Sequence, residues 1–410
     1  EFEYAREGCH SRRRILHSKD STGRAIETSL VGKLGEYKNI RAYSDHTAID
    51  LLTIPHNSTN PIALYREPQC IGAYVLNNKT GNVERFFSSY TVLATGGLGR
   101  IYQHTTNPPI ATGDGFAMAD RAGARLINME YIQFHPTTLF HKDADGFLIS
   151  EALRGEGARL KTKDGVPFMA KYSELGDLAP RDEVCRAMYE EMIKRGDSYV
   201  YLDIASYTEI NVKKRFPMIY EKCLAFDIDI QKVPIPVVPA AHFSCGGVQV
   251  DTWGKTSLEG LYAAGEVAAT GLHGANRLAS TSLLEGLVWG IRSAKDIAGN
   301  FNGNRPYKEF DIPPWQFPER TEETDPALIQ QDWVSIKSTM WNYVGIIRTT
   351  RRLERARADI GYLKSRVDDF YRRAQLVPMV IDLRNGVRTA RIVAEAALKN
   401  NVSRGSHFIK

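Results

Sequence analysis

Four stretches of the chain set histidine, arginine or carboxylate beside glycine in combinations that a packed core does not require. They are Gln133–Thr137 (QFHPT), Ser150–Ala158 (SEALRGEGA), His242–Val248 (HFSCGGV), and Gly265-Glu266-Val267 followed by Gly271–Glu285 (GLHGANRLASTSLLE). Taken singly, each has a bland reading. A histidine beside proline is commonly structural, and SEALRGEGA reads as a charged loop with two glycines. Taken together with Ala179–Asp182 (APRD), they supply His135, His242, Arg181 and Arg277 as isolated groups in apolar or glycine-rich surroundings. Arginine forks match planar carboxylates in bidentate fashion, and histidine is a further donor. Such groups around one pocket repel each other when it is empty, and a small dianion relieves the repulsion. Gly246-Gly247 lets backbone approach a ligand closely.

The elements that must position these groups alternate along the chain. Ile40–Ile54 alternates loosely, and Ile71–Leu76 and Val83–Ala94 flank an Asn- and Gly-bearing hairpin turn at Asn77–Asn82. The second run leads into Ala94-Thr95-Gly96-Gly97, a strand ending on glycines, and Gly113-Asp114-Gly115 opens a helix over Phe116–Ala124. From Tyr131 to Phe243 loops mix with a helix at Arg181–Lys194 and a strand at Tyr199–Ile204. Pro234, Pro236 and Pro239 close this section in an extended stretch that cannot be helical. Gly260–Gly265 is another buried strand ending on glycine, and Thr281–Ala298 is a helix. Asn302–Pro326, with its prolines at 306, 313, 314, 318 and 326, reads as a linker. Beyond it lie amphipathic helices at Ala327–Val344, Thr349–Lys364 and Asp369–Asn400.

A chain of 410 residues, 43% hydrophobic and 25% charged, has room for two or three domains with a large core. No apolar run approaches the ~20 residues of a membrane span. The net charge of +5 is spread and not gathered into a basic stripe, which argues against nucleic acid as a partner. The five cysteines (Cys9, Cys70, Cys185, Cys223, Cys245) form no CxxC pair, so no metal or iron–sulfur site is expected. Reduced thiols and a cytoplasmic location are the expectation. The first residue is Glu1 and not Met, so the true start is expected upstream.

In this order, QFHPT, SEALRGEGA, APRD, HFSCGGVQVD, LYAAGEV and GLHGANRLASTSLLEG resemble the succinate dehydrogenase/fumarate reductase flavoprotein family over essentially the whole chain. Within it, Arg6–Ile26, Cys245 with Val250-Asp251, Trp341–Arg348 and Ser403–His407 resemble the L-aspartate oxidase branch. Cys9 and Thr281 depart from its usual Gly and Asn. Neither departure removes an ionisable group.

The resemblance implies an α/β FAD-binding domain lacking its N-terminal βαβ unit (residues 1–127 and 245–313), since no stretch satisfies G-x-G-x-x-G. An inserted α+β capping domain (128–244) and a C-terminal helical domain (314–410) complete it. It implies non-covalent FAD near Thr95, Gly96, Gly97, Asp114, Glu266, Asn276, Ser282 and Leu283, and a chain that lacks the flavin is the alternative that the truncation leaves open. On residues alone, Asp114 is equally an ordinary helix N-terminal carboxylate. Arg181, His242, His135 and Arg277 match catalytic positions, and Glu7, Gln133, Ser150 and Glu151 match substrate contacts, Glu7 for an ammonium group. Arg181 matches a proton donor and acceptor, although clamping a carboxylate is an equally valid role. The implied reaction is oxidation of L-aspartate to iminoaspartate with O₂ or fumarate as acceptor. This is the first step of quinolinate and NAD synthesis, with quinolinate synthase as a possible partner. The alternatives are a fumarate reductase or succinate dehydrogenase flavoprotein, and a non-catalytic remnant that binds a dicarboxylate or a protein without flavin.

Overall fold

The computed structural model describes residues 4–5, 10–17, 22–207, 210–303, 312–318 and 322–410. The hairpin forms as its turn residues require: Cys70–Asn77 pairs antiparallel with Val83–Phe87, Leu76 opposite Val83. Gly81 takes a φ of 73°, and its N–H closes on the Asn77 carbonyl at 2.9 Å. His46–Thr53 joins the other side of Cys70–Asn77 to complete a three-stranded sheet.

The run Val83–Ala94 is two strands and not one. After Phe87 the chain leaves the hairpin, the Thr91 N–H bonds the Gly260 carbonyl, and Thr91–Leu93 pairs in parallel with Leu261–Ala263. Both members of this parallel pair run into left-handed glycines, Gly96 at φ 74° and Gly265 at φ 75°. The carboxyl ends of parallel strands are where α/β folds leave a crevice for ligands. Helix Asp114–Arg121 is seated directly on this end, because a Cβ at Gly115 would collide with the side chains of Thr95 and Val267.

Between the two halves of that region stands a four-stranded antiparallel sheet in the order Ile132–Leu139, Ile235–Ser244, Val200–Asp203, Arg159–Lys161. The proline-marked stretch is its longest strand, and the register with Ile132–Leu139 slips between Val238 and Ala240, where Pro239 has no N–H to offer. Residues from Leu139 to Val238, including Leu153, Phe168, Met188 and Leu202, make a core of their own.

The C-terminal helices are Pro326–Tyr343, Thr350–Arg373 and Pro378–Lys399. They bury their apolar faces in the same cluster as Leu93, Phe116 and Ala263. A single helix over Asp369–Asn400 was expected, and this is corrected by a break at Ala374–Val377. Pro378 bars the helical region to the residue before it, and Val377 sits extended at φ −135°, ψ 159°. Polar ties fix the last helix to the body: Asn385 to Asp114 at 2.7 Å, Arg384 to Asp50 at 2.7 Å and Arg388 to Asp120 at 2.6 Å. Cys70, Cys185, Cys223 and Cys245 are buried free thiols; Cys9 lies outside the described residues. Among the described residues no helix is long and apolar enough to cross a membrane.

Candidate active site

The two histidines come from neighbouring strands. His135 lies in Ile132–Leu139, whose side chains are all buried, and His242 near the end of Ile235–Ser244, with ring centroids 5.2 Å apart. Burial first, then the guanidinium of Arg181, holds both imidazoles well below their ordinary value. Arg277 acts on both in the same direction, and His242 and Arg154 add to the effect on His135. Both rings are therefore neutral. The Thr137 N–H donates to His135 Nδ1 at 3.2 Å, which leaves the ring proton on Nε2. The Thr106 hydroxyl lies 2.7 Å from His242 Nδ1.

Arg181 is the first residue of helix Arg181–Arg195, delivered there by Pro180. Its Nε donates to Glu151 Oε2 at 2.7 Å and its Nη1 to Gln133 Oε1 at 3.1 Å. The other oxygen of Glu151 faces Arg154 Nη2 at 3.3 Å, and Arg154 is 2% exposed. Burial pushes the Glu151 carboxyl up, but Arg181 and Arg154 outweigh it and bring it below the usual carboxylate range. Arg277 donates to the Ser282 hydroxyl at 2.6 Å and stands 4.6 Å over the Phe243 ring. Glu151, Arg181, Asn276, Arg277 and Leu278 line an open cleft. Two guanidinium groups and two neutral imidazoles gathered this closely suit a small dicarboxylate.

The glycine-ended strands reach the same neighbourhood through Glu266, whose carboxyl feels the charge of Arg277. A side chain at Gly96 or Gly265 would meet nothing within 4 Å, so both turns present bare backbone to open space. Gly97 is the opposite case, because a Cβ there would run into the Glu266 carboxylate. Glu266 Oε1 accepts the Ser244 N–H at 2.9 Å, and burial pushes its carboxyl up to about 7. Open left-handed turns beside a buried carboxyl, at the carboxyl ends of parallel strands, fit the flavin-facing part of an FAD site.

The other expected residues fall into place around these two features. Thr95 is exposed and touches the start of helix Asp114–Arg121. The Asp114 carboxylate accepts from Asn385 at 2.7 Å and Thr112 at 2.8 Å, and burial raises it. Ser282 is engaged by Arg277, and Leu283 is 49% exposed in the first turn of helix Ser282–Asn300. The Ser150 hydroxyl accepts from the Ala152 N–H at 3.2 Å, next to Glu151. Gln133 and Asn276 turn towards each other, Nε2 to Oδ1 at 2.7 Å. Glu7 lies outside the described residues. Sequence reasoning missed Arg154, Asp182 and Thr106. Arg154 had a signal, standing three residues after Glu151 and so one helical turn on; Thr106 had none.

A family model described as FAD binding domain matches residues 1–283, and one described as fumarate reductase flavoprotein C-term matches residues 334–410. L-aspartate oxidase of Yersinia pestis and L-aspartate oxidase 1 of Ralstonia nicotianae are each 47% identical over 407 residues, spanning 99% of this chain and 75% of the relative. The chloroplastic L-aspartate oxidase of Oryza sativa is 42% identical over 429 residues, 98% of this chain and 64% of the relative. The solved structure of E. coli quinol fumarate reductase FrdA superposes with a TM-score of 0.82 at 28% identity, over 100% of this chain and 72% of that one. Mycobacterium smegmatis Sdh1 superposes at 0.77 with 30% identity, over 100% and 71%. The neutral histidines, the paired guanidinium groups and the glycine-ended strands thus sit in a chain that belongs to the succinate dehydrogenase/fumarate reductase flavoprotein family, in its L-aspartate oxidase branch.

Proposed function

We propose that this chain binds L-aspartate in the cleft of Arg181 and Arg277 and, with FAD against the glycine-ended strands, oxidises it to iminoaspartate as the first step of quinolinate and NAD synthesis. Bound FAD supplies the hydride-accepting chemistry. The observation that carries the reading is the gathering of Arg181, Arg277, His135 and His242, close enough that both guanidinium groups act on both imidazoles, with Arg181 and Arg277 lining one cleft.

The two arginines hold the two carboxylates of the substrate as bidentate partners, and this fixes the Cα–H towards the glycine turns. The histidines, kept neutral, add N–H donors without adding charge, with Nε2 as the donating atom of His135. Glu151, held between Arg181 and Arg154, keeps the Arg181 guanidinium in one orientation. That geometry makes Arg181 a clamp first; a proton passing at its guanidinium would need the same placement. Glu7 is the residue we assign to the substrate ammonium, and Ser150 adds a hydroxyl beside Glu151. Glu266 and Asp114 are assigned to the cofactor side, with Thr95, Gly97, Ser282 and Leu283 along the same edge. We take O₂ or fumarate as the electron acceptor, and a cytoplasmic location with quinolinate synthase as partner follows from the family resemblance.

The test is hydrogen peroxide release by the flavin-loaded protein on adding L-aspartate under air, beside succinate with an artificial acceptor dye. L-aspartate-dependent peroxide is the expected result. Activity on succinate alone sinks the proposal in favour of a respiratory flavoprotein. A colourless protein that gains no flavin signal on adding FAD sinks both.

A further inference from the structure

The Gly271–Ser280 loop that carries Arg277 is held from behind by the end of the chain. Gly405 sits at φ 53° so close to this loop that a Cβ would strike the Ala275 carbonyl. The next residue bonds that same carbonyl twice, Ser406 N–H at 3.0 Å and Ser406 Oγ at 2.8 Å. The turn is itself anchored. Buried Arg348 reaches His407 Nδ1 at 2.6 Å and the Glu130 carbonyl at 2.8 Å, and pairs along the backbone with Ile409.

A side-chain relay runs from this turn to the cleft. Arg186, five residues beyond Arg181 on the same helix, donates to Asp182 Oδ2 at 2.9 Å and reaches the Gly405 carbonyl at 3.5 Å. Its guanidinium lies 5.0 Å over the Phe408 ring. The second oxygen of Asp182 accepts Asn276 Nδ2 at 2.9 Å, and Asn276 Oδ1 accepts Gln133 Nε2 at 2.7 Å. Gln133 ends the relay by accepting from Arg181 Nη1 at 3.1 Å while donating to the Arg277 carbonyl at 2.7 Å. Neither amide can flip: reversing Asn276 would set its oxygen against Asp182, and reversing Gln133 would set its NH₂ against Arg181. A cavity of about 10 Å³, room for no more than one water, remains among Gln133, Asp182, Arg186, Asn276 and Ser406.

We propose that Arg186 and Ser406 are positioning residues: through Asp182, Asn276 and Gln133 the C-terminal turn sets the spacing of Arg181 and Arg277, and with it the fit of the dicarboxylate. Neither residue lines the cleft, so their effect on the substrate is indirect. The inference rests on the reading of Arg181 and Arg277 as the groups that hold the two carboxylates.

Four full-chain variants test it: Arg186→Ala, Arg186→Lys, Ser406→Ala and the control Ser403→Ala. Ser403 ties the same tail to Ile409, with bonds at 3.0 and 2.9 Å to its carbonyl and N–H, but takes no part in the relay. The readouts are the Kd for succinate by calorimetry, kcat/KM with L-aspartate, and Tm. Arg186→Ala is expected to weaken both succinate binding and kcat/KM about tenfold or more, since small misplacements of clamping groups carry large penalties. Ser406→Ala loses one of two bonds, with an effect of roughly threefold. Arg186→Lys, which keeps a cation for Asp182, recovers part of the loss, whereas Ser403→Ala lowers Tm alone. The proposal is overturned if Arg186→Ala and Ser406→Ala behave like Ser403→Ala, with Kd and kcat/KM within about twofold of the unsubstituted protein. If Arg186→Ala does not fold, Ser406→Ala decides. An unsubstituted protein that binds succinate but turns over no L-aspartate refutes the aspartate reading and leaves the relay to be judged on Kd; one that binds no succinate refutes both.

Discussion

Glu151 answers two guanidinium groups at once, with Arg181 on one oxygen at 2.7 Å and Arg154 on the other at 3.3 Å. Arg154 is 2% exposed; it also bonds the Asp177 carbonyl, and the Asp177 carboxylate is a weaker Coulombic neighbour than Glu151. Taking the carboxylate away therefore removes the main counter-ion of a buried cation, which is far more costly than never having built the pair. Glu151→Gln should cost about 3 kcal/mol of stability, read from urea unfolding. L-aspartate turnover should fall as well, because Arg181 loses the partner that orients it. Unchanged stability in that variant would mean that water, and not Glu151, balances Arg154. Half of this triad is legible in the chain: Glu151 stands out by its place in SEALRGEGA, whereas Arg154 reads there as loop charge. Nothing local shows that a loop arginine is buried, because burial is decided by what packs over it.

The last helix, Pro378–Lys399, joins the scaffold to the site. One face carries Arg384, Asn385 and Arg388 to Asp50, Asp114 and Asp120, and Thr389 donates to the Gly113 carbonyl at 2.9 Å. On another side Gly386 lies against Trp333 of helix Pro326–Tyr343, so closely that any Cβ would overlap the ring. Gly386→Val has to push Trp333 out of its place, at a cost of about 1 to 3 kcal/mol. Calorimetry should show Tm lowered by a few degrees. A Tm equal to that of the unsubstituted protein would show that the two helices can separate freely. The helix was legible as amphipathic, but its start was not. Its periodicity continues across the break at Ala374–Val377, and there the proline outweighs the pattern.

At the scale of the whole molecule, opposing buried charges set the response to pH. His135 and His242 have folded values well below their ordinary 6.5, so their contribution to stability is present above that pH and is lost as pH falls. Glu266 runs the other way. Its folded value, about 7 against an ordinary 4.5, means the folded state binds more protons between these two values. Its contribution is full below 4.5 and is lost as pH rises through 7. Because the two trends overlap, the pH profile of the unsubstituted protein hides both, and the difference from a variant reveals one. Glu266→Gln should gain stability relative to the unsubstituted protein as pH rises from 5 to 8, by about 1 to 3 kcal/mol, read as the difference between their unfolding curves. A constant difference across that range would mean that the Glu266 carboxyl is already ionised near pH 5.

By itself the chain determined which chemistry could be assembled. Single arginines and histidines in glycine-rich settings, a hairpin turn at Asn77–Asn82 and strands ending on Gly96 and Gly265 are properties of residue type and short-range backbone preference, and these are written locally. Tertiary structure decided how the groups face each other. Asn276 meets Asp182 from 94 residues away, Asn385 meets Asp114 from 271, and Ser406 meets Ala275 from 131. Such pairings depend on strand register, on the seating of the four-stranded antiparallel sheet and on where the turn at Gly405–Ser406 docks. The family resemblance marks Gln133 for substrate and Asn276 for cofactor. Only the folded chain turned their amides towards one another, because a buried amide takes whichever partners the packing brings within reach.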